Sequence, residues 1–171
     1  MLKSLLPTAA LAAISVAPAF AHVTLETQEA KVGSTYKAVF RVPHGCEGAA
    51  TLKVRLQIPE GFIAVKPMPK AGWTLEITKG AYAKSYDHHG TPMTEGVKEV
   101  VWTGSLPDEH YDEFVVRGTL AGDFAADTML YFPIVQECAD TAERWIEIPE
   151  AGKSADDYEF PAPGLKILPK E

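Results

Sequence analysis

The stretch Thr51-Leu52-Lys53-Val54-Arg55-Leu56-Gln57-Ile58 alternates polar and apolar side chains without a break, and a period of two marks a strand with one buried face. The alternation predicts Leu52, Val54, Leu56 and Ile58 on the core side. Runs of similar character fall at residues 36–42, 73–77, 97–103, 113–120, 128–135 and 144–148, each bounded by Gly, Pro or Asp, the residues of turns. Many short strands at this spacing predict an all-β fold, a β-sandwich with little helix. Residues 79–96, which include Tyr82, Tyr86, His88 and His89, lack clean alternation and are expected to form a long hairpin or loop. Past Pro149 the chain turns Gly-, Asp- and Pro-rich. Residues 151–171 are read as an extended tail, packed on the domain through Leu165 and Ile167.

The start of the chain has a different pattern. Lys3, an apolar run over residues 5–16 and the small-x-small triplet Ala19-Phe20-Ala21 together predict a cleaved signal peptide over residues 1–21. The run is shorter than the roughly 20 residues needed to cross a bilayer. The expectation is a soluble, exported, periplasmic protein with no direct membrane insertion after cleavage. What remains, about 150 residues, is enough for one domain with a sizeable core, which is placed at residues 22–150. With 16 Lys and Arg against 23 Asp and Glu, the acidic balance argues against nucleic acid as a partner and suits the attraction of cations.

Cleavage before His22 leaves that histidine at the amino terminus, where its α-amine and Nδ1 can hold one ion in a six-membered chelate. A nitrogen-rich site favours Cu(II), which also heads the divalent affinity order. Such binding needs a neutral amine and imidazole, whose reference pKa values are about 7.7–8.0 and 6.5, so affinity should fall with pH. Further donors on offer are Glu29, His44, Glu47, His88, His89, His110 and the acidic groups near Cys138. His44 stands out because it lies two residues from Cys46. The two cysteines, Cys46 and Cys138, lie in a chain addressed to an oxidising compartment and are expected to form a disulfide. That bridge would tie the turn at residues 42–45 to the segment leading into Trp145. His88 and His89 are adjacent, and on a strand they would point to opposite faces. His110 reads as a surface turn residue. Trp73 and Trp102 read as core. Trp145 is expected on a different face from the aliphatic core.

In order along the chain, His22-Val23-Thr24, Gly33-Ser34, Phe40-Arg41-Val42-Pro43, Ile58-Pro59-Glu60-Gly61, Pro69-Lys70-Ala71-Gly72-Trp73, Arg144-Trp145 and Pro161-Ala162-Pro163-Gly164-Leu165-Lys166 resemble the YcnI-like copper-binding proteins. The resemblance implies an immunoglobulin- or fibronectin-like sandwich that binds one Cu(II) through the amino-terminal histidine in a monohistidine brace, with a tryptophan beside the metal. The matching positions are His22 and Trp145. Relatives of the Gram-positive type carry a Glu shortly after Arg-Val-Pro that is expected to help at the copper. Here the chain reads Pro43-His44-Gly45-Cys46-Glu47, so either Glu47 serves from a shifted position or His44 replaces it. His44 is the favoured ligand because imidazole suits Cu(II). The role implied is a periplasmic copper metallochaperone or copper-homeostasis protein, with other periplasmic copper carriers or membrane copper proteins as partners and no catalytic residue. Two rival expectations are a histidine-brace copper oxidoreductase using His22 and His44, and a metal-free module of the cell envelope.

Overall fold

The computed structural model describes residues 22–170, so the predicted signal peptide lies outside the described residues. Alternating and apolar runs become twelve strands: β1 (Thr24–Leu25), β2 (Glu29–Lys31), β3 (Thr35–Val42), β4 (Thr51–Gln57), β5 (Phe62–Pro67), β6 (Thr74–His88), β7 (Thr91–Leu106), β8 (Asp112–Leu120), β9 (Met129–Tyr131), β10 (Ile134–Glu137), β11 (Ala142–Trp145) and β12 (Gly164–Leu168). One turn of 3-10 helix, Ala155–Asp157, interrupts the tail. Three sheets result, in the orders β1-β3-β8-β5, β11-β10-β4-β7-β6 and β2-β12-β9.

The two larger sheets bury their apolar faces against each other. Phe40, Phe114 and Val116 from one share a core with Val54, Leu56, Val100 and Trp102 from the other. Aromatic contacts run across it, with Trp102 tilted at 5.4 Å from Phe114 and Phe40 edge-to-face at 5.5 Å from Phe132, a range in which such pairs add to area burial. Trp102 is fully buried and Trp73 packs on Phe114 at 4.9 Å, as expected of core tryptophans.

Several local expectations are corrected. Leu52 is 40% exposed while Thr51 is buried, because the pairing of β4 with β7 slips between Thr51 and Lys53 and a one-residue irregularity reverses the faces. The predicted strand at 128–135 divides at Phe132-Pro133: β9 joins the small sheet and β10 the large one. Proline, which lacks an N–H, suits such a break in a ladder. β5, unpredicted, reads as Phe62-Ile63-Ala64-Val65 with both faces buried in part, so no alternation marked it. Residues 79–96 take the first of the two forms expected, a hairpin. They complete a β6–β7 hairpin, turned by His89 and Gly90 at φ 54° and 81°, values suited to a two-residue type I′ turn. Its far end packs Tyr82 and Tyr86 onto Ile63 and Ala121 as a second small core.

The tail is built into the fold. Leu165 and Ile167 are fully buried, and β12 pairs in parallel with β2 and antiparallel with β9.

Candidate metal centre

His22 enters the structure on the lead-in to β1, whose register with β3 is Thr24↔Arg41 and Leu25↔Phe40. Continued back by two residues, that antiparallel register sets residue 22 against Pro43, next to His44. Val23 and Leu25 are buried and anchor the segment, leaving His22 half-buried at the rim. Its imidazole faces the indole of Trp145, with ring centroids 5.7 Å apart and planes at 58°.

Trp145 closes β11 opposite Ile134. It is 2% exposed and belongs to the main core, so the expectation that it lies off the core face is corrected. Ile146 and Ile148 lie beyond the end of β11, and Ile148 is exposed, so those two residues do not define the core face there. A second ring, Phe160 of the tail, meets the indole at 5.2 Å. Trp145 Nε1 donates to Gln136 Oε1 at 3.3 Å. Gln136 is itself 1% exposed, and its Nε2 donates to the His44 carbonyl and to Thr51 Oγ1, both at 2.7 Å. One buried amide therefore ties the indole beside His22 to the backbone of His44.

The loop carrying His44 is fixed from two further directions. Cys46 and Cys138 form the expected disulfide, with Cα atoms 6.2 Å apart. Cys46 and Ala49 exchange both backbone hydrogen bonds at 2.8 Å around Glu47 and Gly48, whose φ values of 50° and 88° make a tight primed turn. Gly45 is required here, since a Cβ would lie 2.0 Å from the Ala49 carbonyl oxygen and 2.9 Å from Asp108 Oδ1. His44 Nδ1 lies 2.6 Å from the Gly45 carbonyl oxygen, a bond in which the ring nitrogen donates, leaving Nε2 as the nitrogen with a free lone pair. Glu47 sits exposed at the turn's tip.

Glu143, two residues before Trp145 and paired with Gln136, entered the sequence reading only among the acidic groups near Cys138. Its Oε2 is buried with no hydrogen-bond partner. Burial pushes its carboxyl above the usual range, His44 partly offsets this, and the carboxylates of Glu47 and Asp108 add to the rise. A buried carboxylate oxygen without a donor, among groups that include an imidazole, suits a nearby cation. The signal available in the sequence was its i, i+2 spacing to Trp145, which puts both on one face of a strand. The tail supplies the other wall of the site. Asp156, Asp157, Tyr158 and Glu159 line a bay with His22, and on the other side His22 borders a groove of about 320 Å³ that contains Met129, Tyr131 and Pro161.

Among the described residues, no three His, Cys, Asp or Glu side chains converge closely enough to hold a metal by themselves. The other candidates lie elsewhere. Glu29 is on β2 near Lys166, His110 is exposed in the turn after Pro107, and His88 and His89 are at the tip of the β6–β7 hairpin. A monohistidine brace draws two nitrogens from one residue and so does not require such a cluster; the ring beside Trp145 is that of His22.

These sheets define an immunoglobulin-like β-sandwich. A crystal structure described as that of an uncharacterized protein from Nocardia farcinica with an immunoglobulin-like fold is similar to this chain, with a TM-score of 0.63 and 25% identity over 86% of this chain and 98% of that one. The family model described as a domain of unknown function, DUF1775, matches residues 22–167, and the chain belongs to that family. No curated protein matches it. Among the described residues, no helix is long and apolar enough to cross a membrane.

Proposed function

We propose that the protein binds one Cu(II) through His22 as its mature amino terminus and serves as a periplasmic copper carrier. The observation that carries this reading is the 5.7 Å contact between the His22 and Trp145 rings, joined to His44 through the buried Gln136. The YcnI-like proteins that the chain resembles are DUF1775 proteins, and the family model begins at His22. In this reading the α-amine and Nδ1 of His22 hold the ion, His44 adds a third donor, and Glu47 at its exposed turn supplies negative charge. Trp145 shields one side of the site. Copper, as cargo, passes between this protein and other periplasmic copper carriers or membrane copper proteins. No catalytic step is assigned.

The test is electron paramagnetic resonance during Cu(II) titration of a chain beginning at His22, against the same chain with one residue added before His22. A nitrogen-rich signal from one equivalent of Cu(II) at His22, which the added residue abolishes, is expected. Equal spectra from the two chains would take the α-amine out of the site and defeat the reading.

A further inference from the structure

Adjacent residues of a regular strand point to opposite faces, yet the rings of His88 and His89 have centroids 4.5 Å apart. The cause is the turn. His88 is the last residue of β6, and His89 takes the left-handed conformation at φ 54°, a region that His enters more readily than most non-glycine residues. Alternation is lost there, and the second imidazole swings beside the first. The expectation that this pair is split between two faces is thereby corrected.

From these two rings we infer a second metal site, at the tip of the β6–β7 hairpin, that takes a tetragonal divalent cation of the Cu(II) type. A metal–nitrogen bond of about 2.0 Å, added to roughly 1.1 Å from ring nitrogen to ring centre, sets each centroid about 3.1 Å from a shared ion. Two such imidazoles at a right angle have centroids about 4.4 Å apart, and at a tetrahedral angle about 5.1 Å. The separation here, with the ring planes at 64°, is close to the right-angle value, the cis arrangement that tetragonal Cu(II) and Ni(II) favour. A metal-bound imidazole characteristically gives its other N–H to a fixed acceptor. His88 Nε2 lies 3.4 Å from Thr119 Oγ1 on β8. With the proton on Nε2, that bond leaves Nδ1 of His88 for the ion. His88 is half-buried and borders an open pocket with Met93 and Glu95, while His89 is exposed, so an ion can enter without any movement of the core.

This site is remote from His22. β3 and β8 run from Thr35↔Thr119 to Val42↔Asp112. His88 meets the first end and the lead-in to β1 the second, a span of seven residues or about 20 Å along the sheet. The two sites should fill independently.

The experiment is Cu(II) titration of the chain beginning at His22, by calorimetry and electron paramagnetic resonance, with Zn(II) as comparison ion. Two equivalents of Cu(II) are expected. His88→Asn and His89→Asn should each weaken one of them at least tenfold without disturbing the other, because both rings hold the same ion. Asn retains the left-handed turn at residue 89. Sub-stoichiometric Cu(II) should also broaden the ring resonances of His88 and His89 together in the unaltered protein, which requires no variant. Unchanged affinity in both variants, or broadening of neither ring, would reduce the pair to aromatic packing and overturn the proposal. Weakening by only one variant would overturn the shared site. The chain extended before His22 should keep the hairpin equivalent and lose the other; failure of the amino-terminal reading would appear as an extension that changes neither, whereas failure of the hairpin proposal would appear in the two histidine variants.

Discussion

The ring of His22 lies 5.7 Å from that of Trp145, and the same indole meets Phe160 of the tail at 5.2 Å. Trp145 thus joins three separate parts of the chain: the start, the large sheet and the tail. Its indole N–H is tied down by Gln136, so the surface offered to His22 is held in place by a buried hydrogen bond.

If copper sits at His22, Trp145 is the tryptophan it affects most. Adding Cu(II) should quench a large part of the intrinsic fluorescence, and Trp145→Phe should remove most of that quench while leaving emission from Trp73 and Trp102. A full quench surviving in the variant would place the metal away from Trp145.

Replacing Gln136 by Leu leaves the Trp145 N–H and the His44 carbonyl without their partner in a buried setting. At about 1–3 kcal/mol for each orphaned group, the variant should lose roughly 3 kcal/mol of stability in urea unfolding. Copper affinity should fall with it. A loss below about 1 kcal/mol would mean that neither partner depends on the amide.

Much of the fold was visible in the chain because one-sided burial writes itself as alternation. β3, β4 and β8 follow that rule. β5 did not, since a strand covered on both faces shows only an apolar run. The outer half of the β6–β7 hairpin was legible only as a hairpin or loop, because most of its β6 side chains face solvent and leave no clean alternation. At the site, His22, His44, Trp145 and the disulfide stood out by residue type. Glu143 and the acidic turn at Asp156-Asp157 did not, since their meaning depends on where β11 and the tail are brought in space.

The disulfide should matter for stability through loop size. Cys46 and Cys138 are 92 residues apart, and closing a loop of that length in the unfolded chain is worth about 4–5 kcal/mol on a chain-entropy estimate. Changing both to Ser should lower unfolding free energy by about 3–5 kcal/mol, measured in denaturant. A change under about 1 kcal/mol would contradict this.

His44→Ala should weaken Cu(II) binding and shift the paramagnetic spectrum, while Glu47→Gln, at the exposed tip of its turn, should leave the spectrum close to that of the parent. The opposite pattern would return the ligand role to Glu47.

Acid should weaken the fold through Glu137 and Glu60. Burial raises both carboxyls, but the hydrogen bonds and charge of Arg55 at Glu137, and of Lys98 at Glu60, outweigh it and bring each below its ordinary value of 4.5. A lowered folded-state value adds stability above the unfolded value and loses it as pH falls through the folded one. Unfolding free energy should therefore drop below about pH 4.5. These pairs are about one-third exposed, so each is worth up to about 1 kcal/mol. Arg55→Met should flatten the Glu137 part of the profile; an unaltered acid limb would assign the loss to other groups.

The parallel pairing of β2 with β12, Glu29↔Lys166 through Lys31↔Leu168, also orders events in time. Synthesis delivers His22 first and its surroundings last: the indole at residue 145, the acidic turn at 155–157 and the strand that clasps β2 at 164–168. Until those residues exist, the histidine has no ring against it and no wall around it. A metal ion met at that stage finds only an open, rapidly exchanging ligand. Order of manufacture thus places completion of the surroundings of His22 at the end of the chain's making, and on the proposed reading it would tie capture of cargo to a finished molecule.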